Sequence, residues 1–314
     1  PNRPGVGEWI DILNSQKCRC RVLLTSRPRP QGTRPAPLTY LQEYPIRGMT
    51  VAEGIDLLRK QGVTKAQGTD AELQTAVIRC SGHALSLTML ATILRDNNLS
   101  LTIFFKDPTF AQFWTGDIAS NLLDYIYKQQ LNEAQRKLLL AFSVYREAVP
   151  LSAAEALIDF KIEMPKSQML PALRTLQAQH LLQAAGEGRY QLHAIVADYA
   201  QSHFDEEDEQ ANAQALQVAH ARAAEYYLQQ AAKICPSREK RRAIQDVQPL
   251  IEAVWQYCQA EQWQEAYDLM KEEGIFYDLN RWGGNAILLE LYQLLCHHIN
   301  GRWSGLKKHG STTI

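Results

Sequence analysis

Arg27 closes the run Cys20-Arg-Val-Leu-Leu-Thr-Ser-Arg27, a short apolar segment ended by polar residues and Pro28. Such a run reads as a buried strand, and its C-terminal end, Thr25 to Arg27, is where α/β sheets place ligands. A guanidinium there offers five fixed donors that suit phosphate oxygens. The plainer alternative is a surface arginine in a basic loop, since residues 1–50 hold eight Lys/Arg against three Asp/Glu. His193 is the second such residue. It ends the short strand-like run Arg189-Tyr-Gln-Leu-His193 and precedes the helical pattern Ala194–Phe204, so its ring lies where a helix N-terminus presents free amides, an arrangement suited to phosphate. Taken alone, a histidine in such a place is more often a half-buried core residue. Cys80 and His83 have a spacing compatible with metal ligation, but no second pair accompanies them, and zinc is set aside. Gly82 reads as a helix stop and Leu85 as core.

Several absences bound the chemistry. The sequence contains no Gly-x-x-x-x-Gly-Lys-Ser/Thr phosphate loop, no apolar strand ending in paired acids before residue 20, no Gly-x-Ser-x-Gly and no His-Glu-x-x-His. By itself it carries no catalytic machinery.

The elements that must hold these residues are mostly helices. Five prolines between residues 28 and 48 predict a long loop. Thr50/Glu53 and Thr69/Glu72 form capping boxes for two helices, stopped by Gly62 and Gly82, and His83–Arg95 resumes the pattern with Leu87, Leu90 and Leu94. A further helix is expected over Asp117–Lys128. Asn132/Gln135 and Ser152/Glu155 then open two more capped helices, and a third runs through Leu170, Leu173 and Leu176, either starting at Pro171 or kinked there. Leu181–Ala185 and Arg189–His193 flank Gly186-Glu-Gly188 as a hairpin. Three helices followed by a hairpin make a winged helix. Beyond the acidic run Asp205–Glu209, helical patterns cover Ala211–Lys233, Val247–Gln259, Trp263–Glu273 and Asn285–Ile299. Trp255, Tyr257 and Trp263 give this part the texture of an α-solenoid pair, and one pair is too few for a stable array.

The expected fold is therefore mainly α. Residues 1–48 are read as a strand at a sheet edge followed by a long loop, 49–128 as a helical domain, and 129–205 as the winged helix. Residues 206–300 are read as linker and solenoid-like helices, and 301–314 as a disordered tail. Linkers near 129–132 and 205–210 are candidate hinges. With 33 Lys+Arg against 34 Asp+Glu the net charge is −1, which gives no pull toward nucleic acid or anionic membrane. Six scattered cysteines fit a reducing cytosol better than a disulfide framework. No apolar run reaches about 18 residues and no charged-then-apolar leader opens the chain, so neither membrane spanning nor secretion is expected.

The order Arg-Val-Leu-Leu-Thr-Ser-Arg27, Gly82-His-Ala-Leu85, Leu192-His193-Ala194 resembles the second half of an NB-ARC module. That module belongs to the signal transduction ATPases with numerous domains (STAND). The resemblance covers about residues 1–205 and implies that 1–48 are the end of a P-loop α/β domain; the rest resembles the tetratricopeptide (TPR) sensor arrays such proteins carry. It implies that Arg27 is the sensor arginine with Thr25 beside it. It also implies that Gly82 and Ala84 stand in the family's Gly-Leu-Pro-Leu turn at the adenine, and that His193 faces the β-phosphate of ADP. Proline is replaced by Ala84, and the aspartate of Met-His-Asp by Ala194. The cofactor implied is ADP or ATP with magnesium in the full-length parent, with none held tightly by this chain, because the Walker A and Walker B segments fall upstream.

The resemblance further implies an upstream P-loop domain as partner, self-association on activation, and a protein or small ligand at the TPR-like region. The setting would be cytoplasmic, in bacterial defence, innate immunity or regulation. Two other readings stand beside it: a winged-helix transcription regulator, and a TPR-like scaffold whose nucleotide motifs have decayed. The recognition segment Ser167–His180 carries only Arg174, with Lys166 flanking it, whereas duplex binding needs a basic face. Gel-shift titration at physiological salt should therefore show no sub-micromolar, salt-steep duplex binding; such binding would revive the regulator reading.

Overall fold

The computed structural model describes residues 46–158, 164–203 and 209–296, together with residues 23, 42 and 44. The expected strand at 20–26, Arg27 and Thr25, most of the proline-rich loop and the tail 301–314 lie outside the described residues. The chain divides into two units, 1–48 and 49–314, and the description below concerns the second.

Four helices open it: α1 (Val51–Lys60), α2 (Asp70–Arg79), α3 (Ala84–Asp96) and α4 (Leu101–Lys106). Thr50 and Thr69 each accept from the amide three residues on, while Glu53 and Glu72 reach back, so both capping boxes are complete. In α3 every residue from Met89 to Leu94 is buried. A helix apolar on nearly all sides must be surrounded, and α1, α2 and the segment up to α5 (Ile118–Tyr125) do this. A turn of 3₁₀ helix, Pro108–Trp114, links α4 to α5 and brings Phe110 and Phe113 against Phe104, with centroids 4.6 and 5.4 Å apart. Neither α4 nor this turn was legible in the periodicity, because each is too short to show one. After α5 the backbone widens into one π turn, Ile126–Gln130, and Asn132 caps α6 (Glu133–Ser143).

From α6 the order is β1 (Val149–Pro150), α7 (Leu151–Glu155), α8 (Met169–Ala178), β2 (Leu182–Gly186), β3 (Arg189–Leu192) and α9 (Ala194–Gln201). The three strands form one antiparallel sheet in the order β1-β3-β2. Three helices around such a sheet, with the β2–β3 hairpin as wing, are the winged-helix arrangement. Strand β1 escaped the sequence reading because two residues cannot alternate. One expectation is corrected here and one open alternative is resolved. The Ser152/Glu155 box does not form: α7 is capped at Pro150 and starts two residues earlier than that box requires, which puts Ser152 inside the first turn. Helix α8 begins at Met169, so Pro171 sits in its first turn, where no amide donor is needed, and the helix is not kinked there. The wing turn carries three successive left-handed residues, Gly186, Glu187 and Gly188, with φ of 87°, 51° and 71°.

The remainder is helical: α10 (Glu209–Ile234), α11 (Gln248–Gln259), α12 (Trp263–Glu272), α13 (Ile275–Arg281) and α14, residues 285–296. Successive members pack on one another, α10 on α11, α11 on α12 and α12 on α13. Trp255, Tyr257 and Trp263 lie half-buried between them. Arg241, 5% exposed, fastens the loop before α11 by donating to the carbonyl of Glu273 and to the carboxylates of Glu273 and Asp278. The apolar interior falls into two clusters. One joins α1–α9 to the first part of α10, and the other joins the end of α10 to α11–α14.

Helices α1 and α2 approach closely at Gly54, where an added Cβ would fall 2.6 Å from both methyl groups of Val77. Gly54→Ala should cost about 1–3 kcal/mol in urea unfolding, because overpacking outweighs the better helix propensity. Gly54→Ala with Val77→Ala should recover part of that loss; a neutral single variant would show that the two helices can part freely.

Candidate functional site

Gly82 follows the C-cap Cys80 with φ +65°, beside Ser81 at +50°, and these two residues reverse the chain between α2 and α3. The carbonyl of Gly82 accepts from the amide of Met49 at 2.9 Å, which ties this turn to the entry of α1. His83 is the N-cap of α3, exposed, with Nδ1 2.8 Å from the Ser86 hydroxyl. Ala84 is the first residue of α3 and is exposed. That is the position where a proline is most easily accommodated, so alanine preserves the helix start while offering a smaller apolar surface. Cys80 is buried, which pushes its thiol up to about 12, and it is therefore a poor thiolate ligand. Among the described residues no group of three His, Cys, Asp or Glu is placed to hold a metal ion.

His193 is the N-cap of α9. Its Nδ1 accepts from the amide of Ile195 at 3.3 Å, and its carbonyl accepts from Val196 and Ala197. An accepting Nδ1 assigns the ring hydrogen to Nε2, which leaves a donor on the far side of a half-buried ring. Such a donor, beside a helix N-terminus, fits a phosphate oxygen. Among the described residues no hydrogen bond or ring contact joins His193 to the Gly82–Leu85 turn. A cavity of about 170 Å³ lies instead beside α5, lined by Gln112, Phe113, Asn121, Asp124 and Lys128 among others. Helices α10 to α14 carry none of the expected site residues.

What the sequence reading missed is a polar junction between the winged helix and the helices beyond it. The turn from α6 to β1 carries Arg146. Its Nε and Nη2 donate to the two carboxylate oxygens of Glu252 at 2.8 and 2.9 Å, and its Nη1 donates to Glu290 at 2.7 Å. The guanidinium also lies 4.8 Å from the ring centroid of Trp255. Glu252 is 2% exposed in the middle of α11 and takes a further bond from Gln248. One turn on, Gln256 is fully buried: its amide nitrogen donates to the carbonyl of Val144 at 3.1 Å, and its oxygen stands 2.6 Å from Nδ1 of His220. Since that oxygen only accepts, His220 carries its hydrogen on Nδ1.

Burial lowers the His220 pKa against the pull of this bond, and the ring stays neutral at physiological pH. Burial also pulls Arg146 down, but the hydrogen bonds and charges of Glu252 and Glu290 outweigh it. The available signal was Glu252 and Gln256 at i, i+4, two polar residues on the buried face of an otherwise apolar helix.

Against known proteins, no family model matches the chain. The chain is similar to an uncharacterised WD repeat-containing protein of Nostoc sp., 26% identical over 213 residues. That match takes in 65% of this chain and spans 16% of the relative's length. Among solved structures it is similar to a STAND protein with a tetratricopeptide repeat sensor from Pyrococcus horikoshii, at 16% identity and a TM-score of 0.39. That match covers 72% of this chain and 35% of the other. Among the described residues no helix is long and apolar enough to cross a membrane.

Glu147, next to Arg146, is held above the usual carboxylate range by burial and then by the charge of Glu252; the Tyr227 hydroxyl, Arg189 and Arg146 pull the other way. A raised carboxyl favours the folded state when protonated, and that advantage is lost as pH rises through its folded value. Glu147→Gln should therefore raise the thermal midpoint relative to the parent at pH 8, with the gap closing as the pH is lowered through the ordinary glutamate range. A constant gap across pH would assign the effect to packing rather than to charge.

Proposed function

We propose that the chain is the helical, winged-helix and first repeat portion of a nucleotide-switched STAND signalling ATPase of the cytoplasm, working in bacterial defence or regulation. In this reading ADP, held chiefly by an upstream P-loop domain that also binds the magnesium ion, keeps the domains closed. Exchange for ATP lets the winged helix swing away and subunits self-associate, and the sensed protein or small ligand acts at the TPR-like helices. The observation that carries it is His193: it follows the wing strand directly, caps α9 through Nδ1 and keeps Nε2–H free to meet a phosphate oxygen. The chain's own contribution to nucleotide is this donor and the small surface of Gly82 and Ala84 at the start of α3, and Arg27 with Thr25 completes the proposal from sequence alone.

The rival scaffold reading, in which the nucleotide motifs have decayed, draws on Ala84 and Ala194 standing where the motifs have proline and aspartate. The DNA-reading alternative is disfavoured by the outer face of α8, where Leu170, Pro171, Arg174 and Ala178 are exposed and only one is basic.

Calorimetric titration of this chain alone should show weak or no ADP binding, because the backbone amides and lysine of a phosphate loop supply most phosphate affinity. In the full-length parent, His193→Ala should weaken ADP retention by the worth of one hydrogen bond, about 0.5–3 kcal/mol, and raise basal self-association without unfolding the winged helix. A variant with unchanged melting, ADP retention and basal activity would reduce His193 to a helix cap. A parent that binds no nucleotide would favour the scaffold.

A further inference from the structure

The two apolar clusters meet along α10 and α11, and the polar junction lies on that seam. Arg146 and Val144 come from the winged-helix side, whereas Trp255, Ile251 beside Glu252 and Leu291 beside Glu290 belong to the second cluster, and Ala253 on the other side of Glu252 belongs to the first. We propose that Arg146 is a positioning residue that couples the repeat helices to the winged helix, so that the two cores keep one register or separate as units. Its use as the output of a sensor rests on the signalling reading above; the coupling itself belongs to this chain and needs no nucleotide.

The argument starts from Glu252. A carboxylate at 2% exposure is tolerable only while its charge is neutralised, and Arg146 does this with two parallel bonds. A small displacement of the 144–148 turn relative to α11 breaks a bidentate geometry and leaves the charge buried and unpaired, so intermediate positions are penalised and the contact is made or unmade rather than graded. Gln256, one turn along α11 from Glu252, adds a second, neutral fastening between the Val144 carbonyl and His220. The arm to Glu290 differs in kind. Glu290 has a side-chain exposure of 49%, so this bond is reachable by solvent and screened by salt. A ligand or protein that moves α14 therefore withdraws one partner from Arg146 before it disturbs the buried pair. The Trp255 ring beneath the guanidinium limits where the side chain can turn when that partner leaves.

The test is segment-resolved hydrogen exchange on this chain, comparing parent, R146M, E252Q, E290Q and R146M/E252M. Each of R146M and E252Q should lower protection of residues 248–258 and 285–296 by about ten-fold or more, while 84–96 in the other cluster stays within about two-fold. The double variant, which leaves no buried unpaired charge, should recover protection to within about three-fold of the parent. E290Q, an exposed change that folding tolerates, should affect 285–296 at low salt and match the parent at about 1 M salt. The proposal is overturned if R146M and E252Q leave the repeat segments unchanged. It is equally overturned if they lower 84–96 by the same factor, which is the signature of a residue that merely stabilises the whole. Absence of nucleotide binding by the full-length parent would sink the signalling reading and leave this result standing.

Discussion

A carboxylate cannot be taken out of water in the middle of a helix unless something of opposite charge goes with it, and Glu252 imposes that condition on everything around it. The partner comes from a turn more than a hundred positions earlier in the chain, which fixes where the winged helix stands against α11. An unpaired charge there would cost about 3–5 kcal/mol, comparable to much of the stability of a domain. Gln256 and His220 obey the same rule for uncharged groups: each polar atom that is buried on the seam finds a partner. The junction is thus held by satisfied polar groups between two oily interiors, and its geometry is more exacting than apolar packing alone would make it.

This arrangement bears on the two linkers read from sequence as hinges. Near 129–132, Arg136 donates to the carbonyls of Tyr127 and Lys128, so the π turn is stitched to α6. Past the linker near 205–210, Ala219, Ala223, Tyr226 and Tyr227 of α10 pack in the first cluster. Within the unit 49–314 the helical segment and the winged helix share one interior. A swing of the winged helix would have to break that shared core or carry the helical segment along.

Much of the fold could be read from the chain because the relevant physics is local. Three capping boxes, the glycine stops and the glycine-rich wing turn are short-range devices, and they appear where the residues announce them. What escaped depends on length or on distance. Strand β1, α4 and α13 are too short to repeat, and the Ser152 box lost to Pro150, whose fixed backbone started the helix first. The candidate site divides the same way. His193 could be placed at a helix N-terminus from sequence, because cap and helix are neighbours. That Arg146 meets Glu252 could not, because pairing across the chain leaves no periodic trace; only the polar intrusion of Glu252 and Gln256 into an apolar face hinted that something distant must answer it.

The wing turn has a further consequence. Gly186, Glu187 and Gly188 all occupy left-handed backbone, yet a side-chain carbon added at either glycine would meet nothing within 4 Å. The constraint at this tip is conformational and not spatial. Single replacements are therefore disfavoured by the backbone, while longer loops that bring their own turn have open room to grow into. Divergence at the wing should proceed by gain and loss of whole segments rather than by exchange of residues, and a foreign peptide or reporter placed between Gly186 and Gly188 would leave the sheet behind it undisturbed.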